Sequence, residues 1–116
     1  MYNEIVISRL YTCLEHIEAI EKYYNEIQKE DTIGLKFELH FDAILMRLQA
    51  LGENLKRILI KHPFVITDLN YSEINDVIRF RDYVSHHYEQ LETELVLNIC
   101  QIKIPELKQC ISKLLK

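Results

Sequence analysis

The sequence predicts an all-α protein, an antiparallel up-and-down helical bundle of four long elements with the last one broken at a proline. Three observations predict it. Apolar residues recur at spacings of three and four through residues 2–29 and 33–61. Glycine and proline number two each, too few for a chain built from many tight turns. No strand-like alternation runs beyond a few residues. At 116 residues the chain is read as one domain, 1–116, able to bury roughly two-thirds of its unfolded surface.

The first helix is expected over residues 2–29. Leu10, Leu14, Ile17, Ile20, Tyr24 and Ile27 form its apolar row, with Glu15, Glu18, Glu21 and Lys22 on the solvated side. Residues 28–32 carry no apolar side chain and mark a turn, in which Asp31 or Thr32 can cap the next helix. The second helix, 33–61, has Phe37, Phe41, Ile44, Leu48, Leu51, Leu55 and Ile58 in nearly a heptad seam. Gly52 lies inside it at a cost of about 1 kcal/mol relative to alanine, which a close helix–helix approach or a bend would explain. Both helices are long enough to span the domain and pack antiparallel.

Pro63 ends the second helix, because the residue before proline is pushed out of the helical region. Residues 62–70 then read as the longest connection, tucked onto the core by Phe64, Val65, Ile66 and Leu69. Asn70 and Glu73 have the spacing of a reciprocal cap for a third helix carrying Ile74, Val77, Ile78 and Val84 on one side. The acidic Glu89, Glu92 and Glu94 separate it from a last helical region, Leu95 to Leu115. Pro105 divides that region, in keeping with the first turn of a new segment.

Apolar residues at 48% and charged residues at 28% fit a folded protein and exclude a wholly disordered chain. No stretch reaches the roughly 18 apolar residues of a membrane span, and the start lacks a signal-peptide pattern. Cys13, Cys100 and Cys110 show no metal-type spacing and read as reduced thiols. A cytoplasmic protein with no membrane association is expected. The net charge of −4 is unlike that of a strong nucleic-acid binder, so any RNA contact must come from a local patch or a surface assembled by two chains.

The stretch Arg79 to Tyr88, RFRDYVSHHY, gathers the chain's best chemistry. Arginine neutralises phosphate at any working pH, histidine moves protons near neutrality, and tyrosine offers a phenolic oxygen. Arg81 and His86 are the residue types that metal-free RNA cleavage needs: a base for the 2′-hydroxyl and a cation for the charge on phosphorus. Tyr83 and Tyr88 have rings for stacking on unpaired bases. The alternative is that an Arg/His-rich helix end simply stabilises a helix C-terminus. On an ideal helix of about 100° per residue, Arg81 shares the apolar face or its border, while His86 points about 140° away. Either the helix ends or bends near Ser85, or two copies meet and the site is composite. Asp82, four residues before His86, is placed to orient the imidazole or share a metal with it. The adjacent His86 and His87 point apart and chelate poorly. Glu53 and Arg57 read as a solvated ion pair worth a few tenths of a kcal/mol. His16 and His40 have no evident partner. No nucleophile elbow or Gly-rich phosphate loop is present.

Arg81, four residues, His86, one residue, Tyr88 resembles the signature of the HepT-like toxins of the HEPN superfamily. Residues 50–57, ALGENLKR, resemble that family's GEA–hydrophobic–KR segment. His62-Pro63 resembles the break after it, and residues 104–108, IPELK, resemble its LPELK opening of the last helix. The resemblance spans the whole chain. It implies a helical bundle that forms a homodimer with the motif of each chain at the dimer cleft, and a metal-independent endoribonuclease toxin that needs no cofactor. It puts Arg81 and His86 at the catalytic positions, with Asp82 supporting. It puts Tyr88 where a cognate minimal nucleotidyltransferase antitoxin adenylylates the toxin with ATP and silences it. The chain departs from the pattern at Asp82, where asparagine is more usual. Tyr71 and Leu95 or Val96 stand in for the family's tryptophans. The alternative is a non-catalytic helical partner that docks a nucleotidyltransferase and presents a substrate, with Arg81 tied up in a salt bridge.

Overall fold

The computed structural model describes residues 2–29, 34–87 and 90–116. Helix α1 (Glu4–Lys29) buries Val6, Leu10, Cys13, Ile17, Ile20 and Ile27. Helix α2 (Leu35–Lys61) buries Ile44, Leu45, Leu48, Leu51, Leu55 and Ile58, with Phe37 and Phe41 half-buried. Each fully buried Leu or Ile is worth roughly 1.5–3 kcal/mol, so these two stripes supply most of the reason for the helices to pair. The pair runs antiparallel. Asn54 reaches the backbone of Arg9, Arg47 meets His16, and Tyr23 meets His40, so numbers fall along α1 as they rise along α2. The 46 Å long axis of the molecule matches helices of 26 and 27 residues at about 1.5 Å per residue.

Gly34 immediately precedes α2, and its φ of 126° is open to glycine and strained for other residues. The expected caps Asp31 and Thr32 lie outside the described residues. The connection expected at 62–70 is instead a short helix, α3 (Pro63–Leu69), with Val65 and Leu69 buried. Pro63 sits in its first turn, where the missing N–H costs nothing. Asn70 closes α3 in the left-handed conformation (φ 52°, ψ 45°), so it does not make the reciprocal cap expected with Glu73. The Glu73 carboxylate turns instead to Tyr71 and Lys103.

Helix α4 (Ile74–His87) returns along α2 and buries Ile74, Val77, Ile78, Phe80 and Val84. Helix α5 (Thr93–Asn98) leads through a π-helical segment, Ile99–Lys103, into α6 (Ile104–Leu114). The division at Pro105 thus takes the form of a wider turn within one helical rod. The Ile104 N–H donates to Ile99 O, five residues back. Lys108 on α6 binds Glu21 of α1 at 2.8 Å, and Tyr71 donates to Glu106 at 2.9 Å, fixing the rod against the other helices. The described residues contain no strand, and none of their helices is long and apolar enough to cross a membrane.

Candidate active site

Arg81 reaches the surface at the seam between α4 and α2, and glycine decides how close that seam is. A Cβ built on Gly52 would lie 2.7 Å from Arg81 Cβ and 3.6 Å from Ile78 O. The contact falls on the root of the arginine, which cannot swing away as a side-chain tip can. Gly52 therefore lets α4 settle onto α2 with the Arg81 stem lying across the gap. The side chain is 31% exposed, on the border of the buried face as its helical phase predicts.

One residue after the glycine, Glu53 takes hold of the guanidinium. Arg81 Nε donates to Glu53 Oε2 at 2.7 Å, and Nη1 donates to Asp82 Oδ1 at 2.9 Å. Two of the five N–H groups of arginine are engaged, which sets the plane of the fork and leaves the Nη2 side without a partner among the described residues. Glu53 also approaches Arg57 Nε, at 3.7 Å through Oε1. The expected Glu53–Arg57 pair is present, but the tighter partner of Glu53 is Arg81. Glu53 is the site residue missed from spacing alone. Its position in the segment 50–57 that resembles the family pattern was the available signal.

Asp82 faces Arg81. Among the described residues no contact joins it to His86, so the orienting carboxylate expected for the imidazole is not formed. His86 is exposed. α4 stays helical through His87, so the bend near Ser85 that would have swung His86 toward Arg81 does not occur. At about 100° per residue the two side chains leave one straight helix about 140° apart. Tyr83 is stacked within its own helix, at 5.5 Å from the Phe80 ring and 4.8 Å from the His87 ring, in place of the exposed base platform expected. His87 Nδ1 lies 3.2 Å from Tyr83 O. Tyr88 lies outside the described residues. His16, expected to lack a partner, has one: Arg47 Nη1 lies 3.1 Å from its Nδ1. Among the described residues no three His, Cys, Asp or Glu side chains are grouped to hold a metal ion.

The model of the ribonuclease HepT-like family matches residues 13–114, covering Glu53, Arg81 and His86 in one alignment. The chain belongs to the HepT-like family. It is an all-α bundle of the HEPN superfamily, and the family is one of ribonucleases. No curated protein and no solved structure matches the chain. In this HepT-like chain the motif arginine is held between two carboxylates, and the motif histidine stands at the last turn of the same helix.

Proposed function

We propose that the chain is the toxin of a toxin–antitoxin pair and a metal-independent endoribonuclease acting in the cytoplasm as a homodimer. The observation that carries this reading is the Arg81 guanidinium, oriented by Glu53 and Asp82 with donors to spare, on the same helix as a solvent-facing His86. A fixed fork of N–H groups suits the equatorial oxygens of a phosphorus under attack, where preorganised charge is worth most. His86 takes the proton of the 2′-hydroxyl. That oxygen bonds to phosphorus, the bond to the 5′-oxygen breaks, and the leaving oxygen gains a proton. The products are a 2′,3′-cyclic phosphate and a 5′-hydroxyl end. Because one straight helix aims Arg81 and His86 apart, the site is assembled from two copies, each supplying both residues to a shared cleft. Two Arg81 side chains there also concentrate positive charge that the −4 chain lacks overall.

A cognate minimal nucleotidyltransferase antitoxin silences this enzyme by adenylylating Tyr88, two residues beyond His86 in the sequence. The test is cleavage of labelled single-stranded RNA in excess EDTA. The wild-type chain is expected to cut, and Arg81→Ala and His86→Ala are each expected to lose roughly 100-fold or more, the scale of one proton-transfer or oxyanion group. Full activity in both variants overturns the assigned roles.

A second reading is favoured by the same salt bridge: a non-catalytic subunit that docks the nucleotidyltransferase, with Arg81 spent on Glu53. Glu53→Gln separates the two. If Glu53 positions a working arginine, the variant cuts more slowly. No cleavage by wild type carrying an unmodified Tyr88, as checked by mass spectrometry, selects the non-catalytic subunit.

A further inference from the structure

Across Glu53 from Arg81 lies an open cleft of ≈ 470 Å³ between α1 and α2, lined by Glu4, Ser8, Arg9, Thr12, Asn54 and Arg57. Its size falls within the roughly 300–1,000 Å³ of ordinary ligand clefts. Its two arginines are loosely held. Arg9 makes no ion pair among the described residues, and its Nε is buried without a hydrogen-bond partner. Arg57 is held loosely, at 3.7 Å from Glu53, with 59% of its side chain exposed. Thr12 Oγ1 donates to Ser8 O at 3.0 Å, which leaves the oxygen able to accept. Asn54 is pinned by its Nδ2, which donates to Arg9 O at 2.8 Å and lies 3.1 Å from Cys13 Sγ.

The cleft is linked to the Arg81 site by Glu53 on α2. At about 100° per residue, Gly52, Glu53 and Asn54 sweep from the α4 side to the α1 side, and Arg57 stands one turn beyond Glu53. The Glu53 carboxylate touches Arg81 with one oxygen and Arg57 with the other. Arg81, Arg57 and Arg9 thus form a row across three helices, with one carboxylate between the first two.

We infer that this cleft is a second phosphate subsite for single-stranded RNA. It holds the backbone phosphate that flanks the one at Arg81, with Arg9 and Arg57 on its oxygens and the Ser8 and Thr12 hydroxyls beside the ribose. The identity of the strand rests on the ribonuclease reading above; the subsite itself does not. Phosphates of a free nucleotide offer the same chemistry. The carboxylate of Glu4 in the lining, and that of Glu53 beside Arg57, favour the singly charged diester of a strand over a polyphosphate.

The test uses the full-length chain carrying His86→Ala and a fluorescein-labelled single-stranded RNA, followed by anisotropy over a salt series. Adding Arg57→Gln or Arg9→Lys addresses the subsite. Arg79→Gln, which removes the same charge from a side chain 75% exposed on α4, is the control. Arg57→Gln is expected to weaken binding and lower the slope of log affinity against log salt by roughly 0.7, one phosphate contact on a single strand. Arg9→Lys keeps the charge and loses the fork, so it should weaken binding with little change in slope. The Arg79 control should match its parent. Affinity and slope unchanged in both cleft variants overturn the subsite. So does ATP binding that needs Arg9 and Arg57 while RNA binding does not. A lowered slope in Arg57→Gln together with no cleavage by the wild-type chain upholds the subsite and rejects the ribonuclease reading.

Discussion

Gly52 and Arg81 are 29 positions apart and meet through a gap one methyl group would close. Gly52→Ala gains up to about 1 kcal/mol of helix propensity and loses about 1–3 kcal/mol to overpacking against an atom that cannot move aside. The net expectation is a melting temperature lower by roughly 5 °C, and RNA cleavage reduced beyond what the lost stability explains, because Arg81 is displaced from Glu53. Thermal unfolding and cleavage of the folded variant check both. His16 supplies a pH test. Guanidinium nitrogens only donate, so His16 Nδ1 must accept from Arg47 and the ring is neutral in the native state. Burial, reinforced by the Arg47 charge, holds its pKa below the ordinary histidine value. The stability tied to the neutral ring is therefore present above about pH 6.5 and lost as the pH falls through the lowered native value. His16→Gln keeps an acceptor for Arg47 without titrating, so its melting temperature should fall less between pH 7 and pH 5 than that of the wild type. An equal fall in both would remove His16 from the account.

At the scale of elements, legibility followed the range of the interactions. The apolar rows of α1 and α2 were plain because burial repeats along one chain segment, and every seam residue expected from Ile44 to Ile58 is buried. A helix in the 62–70 connection was not plain. Seven residues give too few turns for a period, and Pro63 reads equally as the end of one helix or the first turn of the next. Both meanings hold: α2 ends at Lys61, and Pro63 opens α3. The site divides the same way. Arg81 and His86 sit in one short motif and were visible together. Glu53 on Arg81 and an Arg9 Nε without a partner among the described residues depend on which helix faces cross, and three packed helices fix that where local spacing does not. Asp82 was aimed at the wrong neighbour for a related reason: position i+4 offered His86, but the adjacent guanidinium is a stronger charged partner.

The whole molecule bears on the claim that one working site needs two chains. Arg81→Ala and His86→Ala, each inactive alone, are expected to recover cleavage when co-refolded. The mixed dimer joins an intact arginine from one copy to an intact histidine from the other. Light scattering should find dimers in all three preparations. A monomeric wild type that still cuts, or mixed dimers that stay silent, would return the site to a single chain. Neither long-range electrostatics nor the size of the protein hides this result, because both parents carry one intact half of the pair.

The π-helical turn at Ile99–Lys103 amounts to one residue more than an α-helix would use, placed just ahead of a proline whose ring would clash with the carbonyl four residues back. Insertion and proline are therefore a matched pair, and the chain should tolerate losing both better than losing one. Deleting the exposed Gln101 restores α-helical spacing but forces Pro105 into it, a conflict worth about 3 kcal/mol. Deleting Gln101 together with Pro105→Ala removes the conflict. The double change should melt well above the single deletion, so that a missing residue inside a helix is rescued by a substitution four positions downstream.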